Sequence, residues 1–313
     1  MIDSAAFSTL HGEILSKQSV EFKGDLLMVS VALFAAFGWL FSQQALQSFS
    51  PFWFLALRFL SAGIVVSIVA WRTLASLSIA QWSVCLRLGF VMGVALLLWV
   101  TGLSHSRHLG ESAFIASLAV IYVPIIGRFI YGTKITRSLL FPLLLAITGL
   151  ATLMLKNGFS VEKSQLYLLI AALIFAAHFV VTATVVRSMP AVAITATQML
   201  SVGVVALVMA LINEPLQNMD VGMVAWQWMV WSIFVASLLR FAIQTYAMKL
   251  TSANNAGMIL VLEPVFTVLI ASWYLDETLS FSQWIGCGLI FSAIVVYQYL
   301  RLLETRSLVS GSS

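Results

Sequence analysis

Ten stretches of mostly apolar residues follow one another along the chain, at 25–44, 51–71, 82–103, 110–131, 138–156, 164–187, 190–212, 223–249, 254–275 and 281–301. About 20 residues is the length that hydrocarbon demands of a helix. Backbone that cannot satisfy its own hydrogen bonds does not survive there. The connections are short and carry turn residues, as at Ser50-Pro51, Lys156-Asn157-Gly158, Asn213-Glu214-Pro215 and Asp276-Glu277. None could fold alone, so the sequence predicts an all-α membrane protein of ten transmembrane helices. Composition closes the alternatives. Hydrophobic residues make up 61% of the 313 and charged residues only 9%, against roughly 25% charged in soluble domains. Disorder would need low hydrophobicity and high net charge. The net charge of +4 is scattered between apolar runs, whereas a nucleic-acid binder gathers its basic residues on one face. Cys85 and Cys287 lie inside apolar runs, which offers no disulfide framework and no thiolate metal site.

Residues 1–24 are polar and mixed and lack the basic start, apolar run and cleavage site of a signal peptide. They are expected to form a cytoplasmic tail, short helix or disordered, ahead of a retained first span. Residues 303–313 form the matching C-terminal tail. With ten spans both termini share a side. That side receives nine basic residues near span ends (Lys17, Lys23, Arg72, Lys134, Arg137, Arg187, Lys249, Arg301, Arg306), against three (Arg107, Lys156, Lys163) on the other. The positive-inside rule places both termini in the cytoplasm, in what is expected to be a bacterial inner membrane.

Residues 25–156 and 160–302 read as two copies of one five-helix unit. Phe34-Ala35-Ala36-Phe37 recurs as Phe175-Ala176-Ala177-His178, Arg58 falls where the seventh span has Gln198, and 110–136 can be laid over 254–280 with Thr133 on Glu277. An odd number of spans per copy forces the second to insert upside down. Inverted repeats are the architecture of secondary transporters, with the substrate site near the midplane.

Several stretches resemble the drug/metabolite transporter superfamily, and within it the ten-span EamA-type exporters. They are residues 50–59 (Ser-Pro-Phe-Trp-Phe-Leu-Ala-Leu-Arg-Phe), the run from Ser112 through Tyr122-Val123-Pro124, and residues 246–253. The last continues into Leu262-Glu263-Pro264-Val265-Phe266 and ends at Asp276-Glu277-Thr278-Leu279-Ser280. Together the likeness covers roughly residues 24 to 302. It implies a basket of helices around a cavity formed by spans 1, 3, 4, 6, 8 and 9. It also implies export of amino acids, nucleobases, amphiphilic drugs or other metabolites. Two positions depart from the family pattern. Phe37-Gly38-Trp39 stands where Trp-Gly is usual, and Gly132-Thr133 where Gly-Glu is usual. Both bear on substrate choice more than on fold.

Ionisable residues inside a span are costly and therefore functional suspects. Glu263 is the one deep acid, ~14 Å from the cytoplasmic end of its helix; Arg240 lies ~16 Å and His178 ~14 Å deep at 1.5 Å per residue. Three groups on three cavity helices share one level. Glu263 and Arg240 are expected to face each other, as a pair or as poles for a zwitterionic substrate. A structural role for Glu263 beside Pro264 stays open, since a proline frees backbone groups. His178 suits proton coupling by its ordinary pKa, but a neutral hydrogen-bonded histidine fits too. Its repeat mate Phe37 cannot titrate, which favours ring stacking on substrate.

Helical spacing adds Gln244 to Arg240, Gln43 to Trp39 and Thr182 to His178. Asn255, Glu263, Thr267 and Tyr274 form a loose polar stripe in the ninth span, and Trp99 can wall the same depth. Trp53, Trp82, Trp226, Trp228 and Trp284 fall near span ends, where an interfacial belt is expected. Arg58, in a span that the resemblance puts at the periphery, is expected to brace carbonyls or neighbouring helices. Pro124 and Pro264 break the backbone ladder where a cavity would need it.

The leading function is a secondary transporter of a small metabolite, best an amino acid or other zwitterionic or amphiphilic molecule, with a multidrug or nucleobase exporter as the alternative. A membrane-embedded enzyme would need converging ligands or a nucleophile, such as His-Glu-x-x-His or Gly-x-Ser-x-Gly, and the sequence has neither. No further His or Cys lies near His105 and His108 to complete a metal site, and there is no phosphate-binding Gly-x-x-x-x-Gly-Lys loop. A channel filter would need a repeated polar motif, which is missing. The expected partners are thus a small-molecule substrate and the lipid bilayer, with no cofactor, metal, nucleic acid or ATPase subunit, and a monomer as the working unit.

Overall fold

The computed structural model describes residues 4–105, 115–133, 135–154, 163–217, 220–275 and 278–310. Expectations resting on His108, Ser112, Lys156-Asn157-Gly158 or Asp276-Glu277 lie outside the described residues. Among the described residues the ten apolar runs appear as ten helices: α1 Ser4–Ala45, α2 Pro51–Val69, α3 Ile79–Ser104, α4 Ile115–Tyr131, α5 Arg137–Met154, α6 Lys163–Val185, α7 Ala191–Asn213, α8 Met223–Leu250, α9 Ala253–Tyr274 and α10 Phe281–Ser310. A short helix, Trp71–Ala75, follows α2. Eight are long and apolar enough to cross a membrane; α4 and α5 are shorter apolar helices. The described residues contain no strand.

Helix starts follow local chemistry. Pro51 occupies the first turn of α2, where its missing N–H costs nothing. Ser78 and Gln81 form a reciprocal capping box on α3, and Ser252 Oγ accepts from Asn255 N to open α9. Gly132 ends α4 with a φ of +66°, a conformation that favours glycine.

The inversion of the two halves is visible where mates meet. A Cβ on Gly63 of α2 would lie 2.8 Å from the Leu200 nitrogen, and one on Gly203 of α7 would lie 2.6 Å from the Leu60 nitrogen. With Arg58 aligned to Gln198, Leu60 aligns with Leu200 and Gly63 with Gly203. The contact is therefore reciprocal, and it runs antiparallel, because a step up one helix is a step down the other. Only a two-fold axis perpendicular to both helices does this. Gly149 of α5 and Gly286 of α10 repeat the device against Ile290 and Leu153. A Cβ on Gly288 would meet nothing within 4 Å. The remaining packing obeys the same axis: α3 lies on α6 as α8 lies on α1, and α4 on α6 as α9 on α1.

Both faces carry polar ties between the halves. At the face bearing the termini, Asp25 of α1 accepts from Thr251 Oγ1 (2.9 Å), Arg301 Nη1 (3.0 Å) and Asn255 Nδ2. Gln298 Nε2 donates to Asn255 Oδ1 (3.0 Å), and Arg301 Nη2 pairs with Glu21. At the opposite face the Glu214 carboxylate caps α2, accepting from Phe52 N (2.9 Å) and Trp53 N (3.0 Å). Trp53 is buried and donates from Nε1 to the Pro215 carbonyl, so it belongs to this tie rather than to an interfacial belt. An apolar cluster built on Met28, Val31, Leu88, Val180, Met248 and Ile259 fills the space inward of the terminal face. A second, built on Phe49, Phe54, Phe59, Met199 and Met229, fills the other side.

Candidate functional site: a cavity between the two halves

A cavity of about 210 Å³ sits at mid-height, walled by α1, α2, α3, α4, α6, α8 and α9. That is smaller than the roughly 300–1,000 Å³ pockets that hold drug-sized ligands. Aromatic rings make much of its surface: Trp39, Trp99, Phe175 and Phe179 all line it. Trp39 and Trp99 meet edge to face, ring centres 5.1 Å apart, which is the geometry their quadrupoles prefer.

The polar groups concentrate on one wall. Trp39 Nε1 donates to Glu263 Oε1 at 2.9 Å. Arg240 Nη2 stands 3.8 Å from Glu263 Oε2, an ion pair without a hydrogen bond. The Arg240 guanidinium lies over the Phe241 ring at 4.8 Å. Its buried Nε has no hydrogen-bond partner, and neither has the buried Oε1 of Gln244, one turn on. Both atoms are closed to solvent, and unmade bonds of this kind are expensive in a bundle interior. Pro264 and Thr267 line the cavity on the same helix as Glu263. The Thr267 hydroxyl is turned back onto the Glu263 carbonyl at 2.8 Å.

Arg58 is buried and lines the cavity from α2, a helix the resemblance put at the periphery. It braces its neighbours: Nε donates to Ser237 Oγ (2.6 Å), Nη1 to Ser42 Oγ (2.9 Å) and Nη2 to the Ala236 carbonyl (2.9 Å). Ala236 and Ser237 lie in a π-helical segment, Phe234–Leu239, that interrupts α8. The wider turn presents this carbonyl sideways to the arginine, as π-bulges at functional sites do. The repeat mate preserves the logic with weaker chemistry. Gln198 reaches Thr182, sixteen residues back, as Arg58 reaches Ser42. Gln198 Nε2 also lies 3.0 Å from His178 Nε2, a ring nitrogen able to accept its N–H.

Of the residues singled out in the sequence, Trp39, Arg58, Trp99, His178, Arg240, Gln244, Glu263, Pro264 and Thr267 line the cavity. The others lie elsewhere. Phe37 stacks on Phe41 (5.9 Å) and packs with Leu40, Phe266 and Ile270, because its ring turns toward α9. Gln43 is exposed near the end of α1. Thr182 is buried against Gln198. Asn255 is one turn into α9 and belongs to the Asp25 tie. Pro124 is buried within α4. Sequence reading missed Ser42 and Ser237. The second sits in the π-helical segment, whose register no 3.6-residue spacing gives.

The sequence profile of the EamA-like transporter family matches residues 22–155 and again 163–298. The chain is 23% identical over 239 residues to the uncharacterized transporter YcbK of Bacillus subtilis (strain 168), covering 71% of this chain and 73% of that one. It is 26% identical over 140 residues to the uncharacterized transporter sll0355 of Synechocystis sp., 44% of this chain and 41% of that one. A solved structure described only as a crystal structure of a protein aligns with a TM-score of 0.77 at 18% identity, over 90% of this chain and 99% of the other. That likeness speaks for the fold alone.

Proposed function

Because the chain belongs to the EamA-like transporter family, we propose that it is a secondary transporter that moves a small zwitterionic or amphiphilic metabolite, best an amino acid, by alternating access. The observation that carries this is the mid-height cavity itself. It is walled by both halves, is aromatic on most sides, and holds one acid and one base, Glu263 and Arg240, on a single wall. A hydrophobic side chain suits the rings and a polar head suits the Arg240–Gln244 wall. Export is the direction that the resemblance implies. The nine-to-three excess of basic residues supports cytoplasmic termini in a bacterial inner membrane. A single chain without an ATPase subunit is the unit that the two-half cavity supports. A nucleobase is the second reading, favoured by the aromatic walls, on which a planar ring stacks.

Counterflow into proteoliposomes loaded with amino acids, nucleobases or cationic dyes, with and without a pH gradient, tests the reading. Saturable accumulation of amino acids is expected. Accumulation of dyes or nucleobases alone would overturn the substrate assignment, and no accumulation of any class would overturn the transporter reading.

A further inference from the structure

The cavity holds two guanidinium groups, Arg58 and Arg240, against one carboxylate, Glu263. Glu263 is the one carboxylate among the described lining residues, so the two arginines leave one positive charge without a counter-ion there. The two arginines do different things with that charge. Arg58 spends its N–H groups on Ser42, Ser237 and the Ala236 carbonyl, all neutral acceptors. It therefore supplies field and offers little bonding. Arg240 is the reverse. Glu263 is too far away, at 3.8 Å, to accept a hydrogen bond from it, and its buried Nε has no partner. That Nε is closed to solutes, but the side chain is partly exposed and its terminal nitrogens face the cavity, beside the ring of Trp39 that holds Glu263 in place. An open guanidinium fork matches one solute group above others, a carboxylate taken in two parallel bonds.

We propose that the transported molecule carries a carboxylate that docks in two bonds on Arg240, and that the uncompensated charge of Arg58 makes the cavity accept net-neutral or singly negative solutes and reject cations. The inference rests on the transporter reading and narrows its substrate. An aryl or bulky aliphatic part packs on Trp39, Trp99, Phe175 and Phe179. A carboxylate with no amino group is then sufficient for binding, while an amine with no carboxylate is not.

Quenching of intrinsic tryptophan fluorescence on the purified full-length protein, with Trp39 and Trp99 as reporters, tests it with four probes that share one ring: 3-phenylpropionate, phenylalanine, phenylalanine methyl ester and phenethylamine. The first two should bind at least about tenfold more tightly than the last two, a margin of one ion pair's order. Arg240→Lys, which keeps charge but loses the fork, should weaken the carboxylates and leave the amines unmoved. Arg58→Gln, which installs the mate's side chain, should narrow the carboxylate-to-amine ratio without abolishing carboxylate binding. Should either variant fail to fold, the four-probe ranking on the unaltered protein decides alone. Equal binding of ester and acid, preference for phenethylamine, or no saturable quench by any probe would overturn the proposal. The same probes in counterflow keep the two readings apart. Ranked binding without accumulation sinks the transporter reading only. Accumulation of all four alike sinks the carboxylate anchor only.

Discussion

Replacing Gly63 or Gly203 with alanine tests the pseudo-two-fold where it is tightest. The added methyl would lie 2.8 Å from the Leu200 nitrogen in the first variant and 2.6 Å from the Leu60 nitrogen in the second. Both fall well short of the roughly 3.5 Å at which carbon contacts become favourable, and the obstacle is backbone, which cannot rotate away. α2 and α7 must part. Overpacking of this order costs about 1–3 kcal/mol. The reciprocal geometry makes a sharper demand than the size of either effect. The two costs should be alike, and the double variant should cost less than their sum, since the first methyl opens the space that the second enters. Coupling across such a contact is on the order of 0.5–3 kcal/mol. Gly288→Ala is the control: nothing lies within 4 Å of its Cβ, so helix propensity should stabilise it by up to about 1 kcal/mol. Equilibrium unfolding in mixed micelles measures all four. Strict additivity of Gly63→Ala and Gly203→Ala, or one large and one negligible effect, would refute an axis passing between these helices.

Glu263→Gln keeps an acceptor for Trp39 but removes an attraction on the order of 4 kcal/mol at an effective dielectric of 20. Freed from it, Arg240 should bind carboxylate probes about tenfold more tightly, measured by the same quenching titration. Asp25→Ala strips a shared acceptor from Thr251, Asn255 and Arg301 and should destabilise by about 3 kcal/mol. Arg301→Ala added to it should cost much less than it does alone, read from the unfolding cycle. Glu214→Ala uncaps α2 at Phe52 and Trp53, with an expected loss of about 1 kcal/mol. Glu214→Gln should recover part of it in thermal unfolding.

The spans were legible because hydrocarbon leaves the chain so little choice. Each of the ten apolar runs overlaps one helix, and the second copy of the repeat was already betrayed by Arg58 standing where Gln198 recurs. Depth was legible too: Arg240, Glu263 and His178 all line one cavity. Azimuth was not. The polar stripe of α9 assumed one unbroken helix, but a turn at Val261 separates Ala253–Leu260 from Leu262–Leu275. Pro264 just beyond has no N–H to continue the ladder. Asn255 therefore serves Asp25 while Glu263 serves the cavity. Likewise the π-helical turn in α8 adds a step that no 3.6-residue spacing contains, so the hold of Arg58 on Ser237 could not be counted out from sequence. The first residues were read as a tail because they are polar. A helix was one form allowed for them, and α1 begins at Ser4; its Glu21, together with Asp25 of the first span, meets Arg301.

The unlike mates Arg58 and Gln198 have a thermodynamic consequence. A barrel whose halves were chemical twins would be indifferent to which mouth it opened, since each pose would mirror the other in energy. Here one pole of the pseudo-dyad holds a cation and the other an uncharged amide, and swapping the roles of the halves moves that cation to a different dielectric setting. Under the alternating access proposed above, the two poses are unequal before any solute arrives, and an idle molecule has a preferred side to wait on.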